Sequence, residues 1–319
     1  MKVGFIGLGN VGGKLAGSLL RNGYHTTVRD LDPSLAQPFL QNGAHWADSP
    51  RQMIESCDVV ITCLPSPQAC AAVMEDADGI LSGMSEGKIW AEMSTTDVEE
   101  VKRLAKLVEA KGGSALECPV SGGCHRADTG NISIFAGCDR QTFEQMLPLL
   151  TTLGRRVLHT GDIGSASMLK VMTNYLATAN LITMGEALVT MKAAGMDMAT
   201  TYEAMVISSG TSFVAETEGQ VTLNGSRDIS FTMDLVKKDI GLFQEIAERN
   251  GVPLEISPLM VDIFNDGIEK FGPRELSPNI IKRLEDQMGF KCLAPGFPAE
   301  LRDDEPEETG YEVIPRGRK

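Results

Sequence analysis

From residue 2 to about 161, short apolar runs alternate with longer segments whose apolar residues recur every three or four positions. Lys2–Ile6 reads as a buried strand, and Val11–Asn22 as an amphipathic helix closed by Gly23. Further strands are predicted at Thr26–Arg29, Val59–Cys63, Ile89–Glu92, Ala115–Cys118, Ile132–Phe135 and Val157–His159, separated by helices such as Asp97–Lys111 and Arg140–Leu153. This alternation predicts an α/β domain with a doubly wound parallel sheet that ends near Gly161. From Ser165 to Ala194 the pattern becomes one long helix without Pro, with Gly185 its only internal Gly. At 1.5 Å per residue it would span about 45 Å, enough for both a domain junction and a subunit contact. Helical periodicity continues at about 199–207, 232–250, 257–271 and 279–287, so the second domain is predicted to be all-α. The expected divisions are 1–163, 164–290 and a C-terminal extension at 291–319. The extension carries four prolines from Ala294 onward and an acidic run from Asp303 to Glu308. It reads as an extended arm, lying across a neighbouring subunit, or as a disordered tail.

A length of 319 residues suits two domains. With 42% hydrophobic and 23% charged residues, collagen-like, disordered and disulfide-scaffold classes drop out. No apolar run approaches the roughly 18 residues of a membrane helix. The N-terminal apolar stretch reads as a strand rather than a secretion signal, so a cytoplasmic location is expected. The 43 acidic and 29 basic residues leave a net charge of −14, which disfavours nucleic acid or an anionic membrane as partner. Seven cysteines, odd in number and never spaced C-x-x-C, read as reduced thiols in packing roles. The four histidines do not pair at metal-ligand spacing, and no metal is expected.

Gly7-Leu8-Gly9-Asn10-Val11-Gly12 follows a predicted strand and opens a predicted helix, the context a dinucleotide fingerprint requires. The first Gly permits the tight turn, the second lets backbone N–H groups approach a pyrophosphate, and the third lets helix and strand pack closely. The helix N-terminus, Asn10 and Val11, then favours negative charge. Asp30 stands 18 residues after Gly12 at the end of the second strand, where a carboxylate accepts hydrogen bonds from ribose hydroxyls and repels a 2′-phosphate. Leu31 and Asp32 follow where binders of the phosphorylated cofactor place Arg, so NAD is favoured over NADP. Arg29 points to the opposite side of an extended strand.

Ligands of doubly wound sheets bind beyond the carboxyl ends of the strands. Three loops lie there. In Cys63-Leu64-Pro65-Ser66, Leu64 and Pro65 are placed to cover a nicotinamide face. In Glu92-Met93-Ser94-Thr95-Thr96, the hydroxyls can reach the cofactor, with Thr96 read as the cap of the next helix. In Pro119-Val120-Ser121-Gly122-Gly123, a Ser before two glycines exposes N–H groups suited to a carboxylate. Lys170 and Asn174 are one turn apart on the long helix and share a face. By itself that pair is commonplace; it gains weight because the helix leaves the sheet domain directly after its last strand. Lys237-Lys238-Asp239 offers a second basic group, whose plain alternative is a solvated face.

FIGLGNVG, ECPVSGG at 117–123, LKVMTNY at 169–175 and KKD at 237–239 together resemble the 3-hydroxyisobutyrate dehydrogenase family of β-hydroxyacid dehydrogenases, in the family's order and spacing over about residues 1–290. The resemblance implies a Rossmann domain, an all-α C-terminal domain, and NAD(P)-linked oxidation of short 3-hydroxy acids or reduction of the matching semialdehydes. It also implies a homodimer or homotetramer built around the long helix. Carried over residue by residue, Lys170 matches the catalytic lysine and Asn174 the substrate-orienting amide. Ser121, Gly122 and Gly123 match the substrate-carboxylate loop, Thr95 and Leu64 the cofactor contacts, and Lys238 a position near the nicotinamide. Burial and a nearby ammonium would lower the pKa of Lys170 toward neutrality.

The chain departs from the family at Cys124-His125-Arg126, where many relatives carry small apolar residues. His125 and Arg126 would add positive charge and favour a second anionic group on the substrate, as in tartronate semialdehyde or a sulfonated aldehyde, unless they face solvent or a partner subunit. Phosphogluconate decarboxylases place His where this chain has Thr173, and imine reductases usually lack the lysine, so both come behind. A non-catalytic NAD-binding module is the alternative of another class. Ser208, Ser209, Gly210, Phe213 and Phe231 are candidates for the pocket that selects the substrate's side chain.

Overall fold

The computed structural model describes residues 1–317. The strands are β1 (Lys2–Ile6), β2 (His25–Arg29), β3 (His45–Trp46), β4 (Val59–Thr62), β5 (Ile89–Glu92), β6 (Ser114–Glu117), β7 (Val120–Ser121), β8 (Ser133–Gly137), β9 (Arg156–Gly161) and β10 (Tyr311–Glu312). Among the described residues they form one sheet in the order β10-β9-β8-β6-β5-β4-β1-β2-β3, with β7 paired to β8. The sheet buries an apolar cluster on each face, one around Phe5, Leu15, Ile134 and Phe143 and the other around Met53, Trp90, Leu104 and Val108.

The sheet is a Rossmann-type wound sheet with one departure from the all-parallel expectation: β8 pairs antiparallel with β6 and with β7. The cause is the length of the connection. Between Glu117 and Ser133 the chain forms only β7 and a five-residue helix, Cys124–Asp128. Such a helix rises about 7 Å, less than the length of the strand it would have to retrace for a parallel return. The 14-residue helix Arg140–Leu153 does have that reach, and β9 returns parallel to β8.

The chain divides into two compact units. The first comprises Met1–Lys170 with Asp303–Lys319, and the second comprises Val171–Arg302. The long helix, Ser165–Ala193, runs from the first into the second. The second unit is a helical domain whose core gathers Leu181, Leu188, Met233, Ile240 and Phe264. Inside it Arg227, at φ 55°, donates through Nη2 to both carboxylate oxygens of Glu285 at 2.8 Å, with both side chains under 5% exposed.

Within the C-terminal extension, residues 291–302 pack in the second unit, where Ala294 N donates to the Leu223 carbonyl and Phe297 meets Tyr202 edge-on, and the part from Asp303 onward packs in the first. Gly310, Tyr311 and Val313 donate backbone bonds to Thr151, Arg155 and Val157, and β10 adds an edge strand parallel to β9. No helix among the described residues is long and apolar enough to cross a membrane.

Candidate functional site

The Gly7–Gly12 turn is built as the fingerprint demands. Gly7 sits at φ 99°, and a Cβ there would lie 2.2 Å from the Cys63 carbonyl. A Cβ on Gly12 would lie 2.0 Å from the carbonyl of Gly7. Gly9 differs from both, because a Cβ there would meet no protein atom within 4 Å. The chain's own packing does not require a glycine at Gly9, whereas a ligand drawn against the backbone would. The helix Asn10–Arg21 follows, and its N-cap, Gly9, has no side chain to cap it. These features fit a dinucleotide pyrophosphate.

Asp30 is oriented by two backbone donors, Leu8 N at 2.7 Å to Oδ2 and Asp32 N at 3.0 Å to Oδ1. Arg29 turns away from it: its guanidinium donates to the carbonyls of Ala47 (3.0 Å) and Asp48 (2.6 Å) and lies 5.6 Å from the centre of the Trp46 ring.

β4 and β5 end in loops that one buried network ties together. Leu64 N donates to Ser94 Oγ (2.7 Å), and a Cβ on Gly7 would sit 3.2 Å from Leu64 Cδ2, so Leu64 lies against the glycine turn. Pro65 is exposed and Thr95 half-buried beside these bonds. Behind them Glu92, fully buried, accepts from Ser94 N (2.6 Å), Thr62 Oγ1 (2.8 Å) and Cys70 Sγ (2.6 Å). Burial pushes its carboxyl above the ordinary value, against those bonds. The expected cap at Thr96 falls instead to Asp97, which accepts from Glu99 N and Glu100 N. A carboxylate takes two N–H groups at once, which a hydroxyl does less well. Thr96 Oγ1 is buried with no hydrogen-bond partner.

β7 carries Ser121, paired with Ser133 of β8. Gly122 (φ 132°) and Gly123 (φ 86°) follow in backbone conformations that L side chains rarely adopt. The stem of Arg126 packs against this loop, with its Cδ 3.3 Å from where a Gly122 Cβ would be. Arg126 donates to Glu305 at 3.0 Å. Burial and the Arg126 guanidinium, outweighing Asp303, pull His125 below the ordinary imidazole value, which leaves it neutral at neutral pH.

The start of the long helix is held by Glu117, at the end of β6. Its carboxylate accepts from Gly164 N (2.6 Å), Ala166 N (2.8 Å), Ser167 N (3.2 Å) and Ser167 Oγ (2.5 Å). These backbone groups are the donors that a helix N-terminus leaves without intrahelical partners. One turn further on is Lys170, 8% exposed. Asn174 follows at the next turn, in the second unit, where its Nδ2 donates to Asp239 (2.5 Å). Asp239 is itself buried and ion-paired with Lys238 at 2.8 Å. Tyr175 stacks on Phe243 of the same helix as Asp239, with ring centres 4.4 Å apart. Sequence reasoning gave no role to Glu92, Glu117 or Asp239. The available signal was an acid at the end of an otherwise apolar strand, and an acid directly after two lysines.

Two family models cover the chain. Residues 2–161 match the NAD-binding domain of 6-phosphogluconate dehydrogenase, and residues 164–284 match the NAD-binding domain of NADP-dependent 3-hydroxyisobutyrate dehydrogenase. The chain is 30% identical over 290 residues to the 2-(hydroxymethyl)glutarate dehydrogenase of Eubacterium barkeri, covering 91% of this chain and 96% of that one. It is 32% identical over 295 residues to the mitochondrial 3-hydroxyisobutyrate dehydrogenase of Rattus norvegicus, covering 90% and 88%. The chain belongs to the 3-hydroxyisobutyrate dehydrogenase-like superfamily of β-hydroxyacid dehydrogenases. At that level it is an oxidoreductase with an NAD(P)-binding Rossmann domain. Its fold matches a solved 3-hydroxyisobutyrate dehydrogenase from Salmonella typhimurium with a TM-score of 0.82, at 25% identity over 89% of this chain and 99% of that chain.

Proposed function

We propose that this chain oxidises a short 3-hydroxy acid to its semialdehyde with NAD, or runs the reverse reduction, with Lys170 as general acid and base. The observation that carries the proposal is the buried Lys170, one turn after a helix start fixed by Glu117 and one turn before an amide fixed by Asp239. A bound nicotinamide supplies the acceptor for a hydride from the carbinol carbon. In oxidation the neutral amine of Lys170 takes the hydroxyl proton; in reduction its ammonium returns a proton to the developing alkoxide. Because the Asp239 carboxylate accepts, it fixes which end of the Asn174 amide is Nδ2 and so orients the amide, which is assigned to the substrate. Lys238 neutralises Asp239 and is assigned to the nicotinamide side. Ser121, Gly122 and Gly123 are assigned to the substrate carboxylate, and Gly7, Gly9, Asn10, Val11, Gly12, Leu64, Pro65 and Thr95 to the cofactor.

NAD rather than NADP is favoured because Asp30 presents a carboxylate already oriented by Leu8 N and Asp32 N, while Arg29 is engaged with Ala47, Asp48 and Trp46. A singly charged substrate is favoured because Glu305 holds Arg126 and His125 is neutral. The exposed Met168, Leu176 and Met191 of the long helix support a homo-oligomer. The test is initial-rate NADH formation at mildly alkaline pH with a panel of short 3-hydroxy acids, run in parallel with NADP and with Lys170→Ala. Activity with NAD that is lost in the variant supports the proposal. Near-normal turnover by Lys170→Ala overturns the role of Lys170, a specificity constant for NADP at or above that for NAD overturns the reading of Asp30, and silence across the panel favours a binding module.

A further inference from the structure

The C-terminal extension lies beyond residue 284, where the second family model ends, and its Asp303 and Glu305 bond the segment that follows the Ser121–Gly123 loop. Asp303 Oδ2 accepts from Thr129 Oγ1 (2.5 Å) and from Asn131 Nδ2 (2.7 Å). The same Asn131 nitrogen donates to the Glu305 carbonyl at 2.9 Å, and Asn131 is fully buried. The Glu305 carboxylate pairs with Arg126 at 3.0 Å and lies 3.8 Å from Arg156. Arg126 in turn lays its stem along Gly122. Downstream, Glu308 pairs with Arg155 and Glu312 with Arg140 (2.6 Å), while β10 hydrogen-bonds into the sheet. The extension is therefore fastened to the rigid sheet at one end and grips the 126–131 segment at the other.

We infer that Asp303 and Glu305 are positioning residues that brace the Ser121–Gly123 loop, through Arg126, Thr129 and Asn131, and so set the affinity for the substrate carboxylate. The need for a brace follows from the loop itself. Two consecutive glycines at positive φ are conformationally permissive, and the five-residue helix after them is too short to be stable alone. The helix Cys124–Asp128 packs on the helix Asn10–Arg21 through the buried Ala127, with Asp128 paired to Lys14, but apolar contact of this kind fixes volume rather than direction. Carboxylates aimed at a guanidinium, a hydroxyl and an amide give directional restraint instead. The effect on affinity rests on the proposed function; the brace does not.

The experiment uses the full chain with Asp303→Ala/Glu305→Ala, together with the charge swap Arg126→Glu/Glu305→Arg. Hydrogen–deuterium exchange over 121–131 is read without substrate, and steady-state kinetics are read with it. The expected result is faster exchange confined to 121–131 and a KM for the hydroxy acid raised about tenfold, the low end of one lost charge-assisted bond. The KM for NAD and kcat stay within about twofold, and the charge swap recovers most of the KM. Unchanged exchange over 121–131 overturns the brace. Equal changes in kcat and in both KM values overturn the positioning role in favour of general destabilisation. Faster local exchange in a protein whose parent turns over no hydroxy acid upholds the brace and removes the functional reading instead.

Discussion

Glu117 is where the fold and the proposed chemistry depend on one side chain. Glu117→Ala would orphan the N–H groups of Gly164, Ala166 and Ser167, all buried around the carboxylate; the Ser167 hydroxyl can rotate to another acceptor. At roughly 1–3 kcal/mol for each buried donor left unsatisfied, the loss is about 3–9 kcal/mol. Against this, burial already holds the carboxyl above its ordinary value, so removing it relieves part of a desolvation cost. The net expectation is a destabilisation of about 4 kcal/mol, a large share of the 5–15 kcal/mol typical of a folded domain. Glu117→Gln keeps one oxygen for Gly164 and Ala166 but turns an NH2 toward the Ser167 N–H, and should cost about half as much. Gly137→Ala tests the same contact from the other side, because its Cβ would lie 2.4 Å from Glu117 Oε1 and must displace it. Urea denaturation followed by circular dichroism gives the free energies, and kcat well below the unfolding midpoint reports the helix start beneath Lys170. An Ala variant within about 1 kcal/mol of the parent, with unchanged kcat, would refute the argument that Glu117 anchors the helix.

The glycines of the fingerprint should separate in a simple experiment. Gly9→Ala is expected to leave the melting temperature within about 2 °C of the parent while weakening NAD binding at least tenfold by calorimetry, because only a ligand occupies the space its Cβ would enter. Gly12→Ala, with its Cβ 2.0 Å from the Gly7 carbonyl, should lower the melting temperature before any cofactor is added. Glu218, pushed up to about 8 by burial, gives a pH signature. The folded state keeps a proton that the unfolded chain releases near 4.5, so this contribution to stability is full below that pH and is lost as pH rises through about 8. The urea midpoint should therefore fall between pH 6 and pH 9, and Glu218→Gln should flatten the fall; an identical slope in the variant refutes the assignment. Asp239→Asn is expected to raise the KM of the hydroxy acid more than that of NAD, since it frees the Asn174 amide to turn over, and equal effects on both would count against it.

The wound sheet, most of its strand positions and the long helix are legible because their signals repeat: short, continuously buried apolar runs mark the strands, a 3.6-residue period marks the helices, and the glycine turn has few physical substitutes. What escaped was set by single contacts at long sequence separation. The antiparallel entry of β8 depends on how little helix fits between residues 117 and 133. The edge strand β10 is two residues long and pairs with a strand about 155 positions earlier, which no local pattern announces. Arg126 looked like a spare charge beside the loop because its partner, Glu305, lies 179 residues away in an acidic run that reads by composition as tail. The cap at Asp97 rather than Thr96 was a choice between neighbours that only the donor geometry of Glu99 and Glu100 decides.

The candidate groups share a mode of support that explains why acids, rather than more apolar side chains, sit behind them. Apolar contact fixes volume but not direction, so it cannot determine which way an amide or a helix-end N–H points. A carboxylate receiving several donors can. Glu92 receives Ser94 N, Thr62 Oγ1 and Cys70 Sγ behind the two cofactor loops; Glu117 receives four donors at the helix start; Asp239 receives Asn174 and Lys238. Glu218 shows the other outcome, with a buried Oε2 that finds no donor and a carboxyl driven up to about 8 by burial alone. Burial pushes Glu92 and Glu117 up as well, but their donors act against it, whereas Glu218 has no such opposition. The cost of such anchors is that they tolerate no truncation, so substitutions behind the site are expected to damage it as severely as substitutions within it.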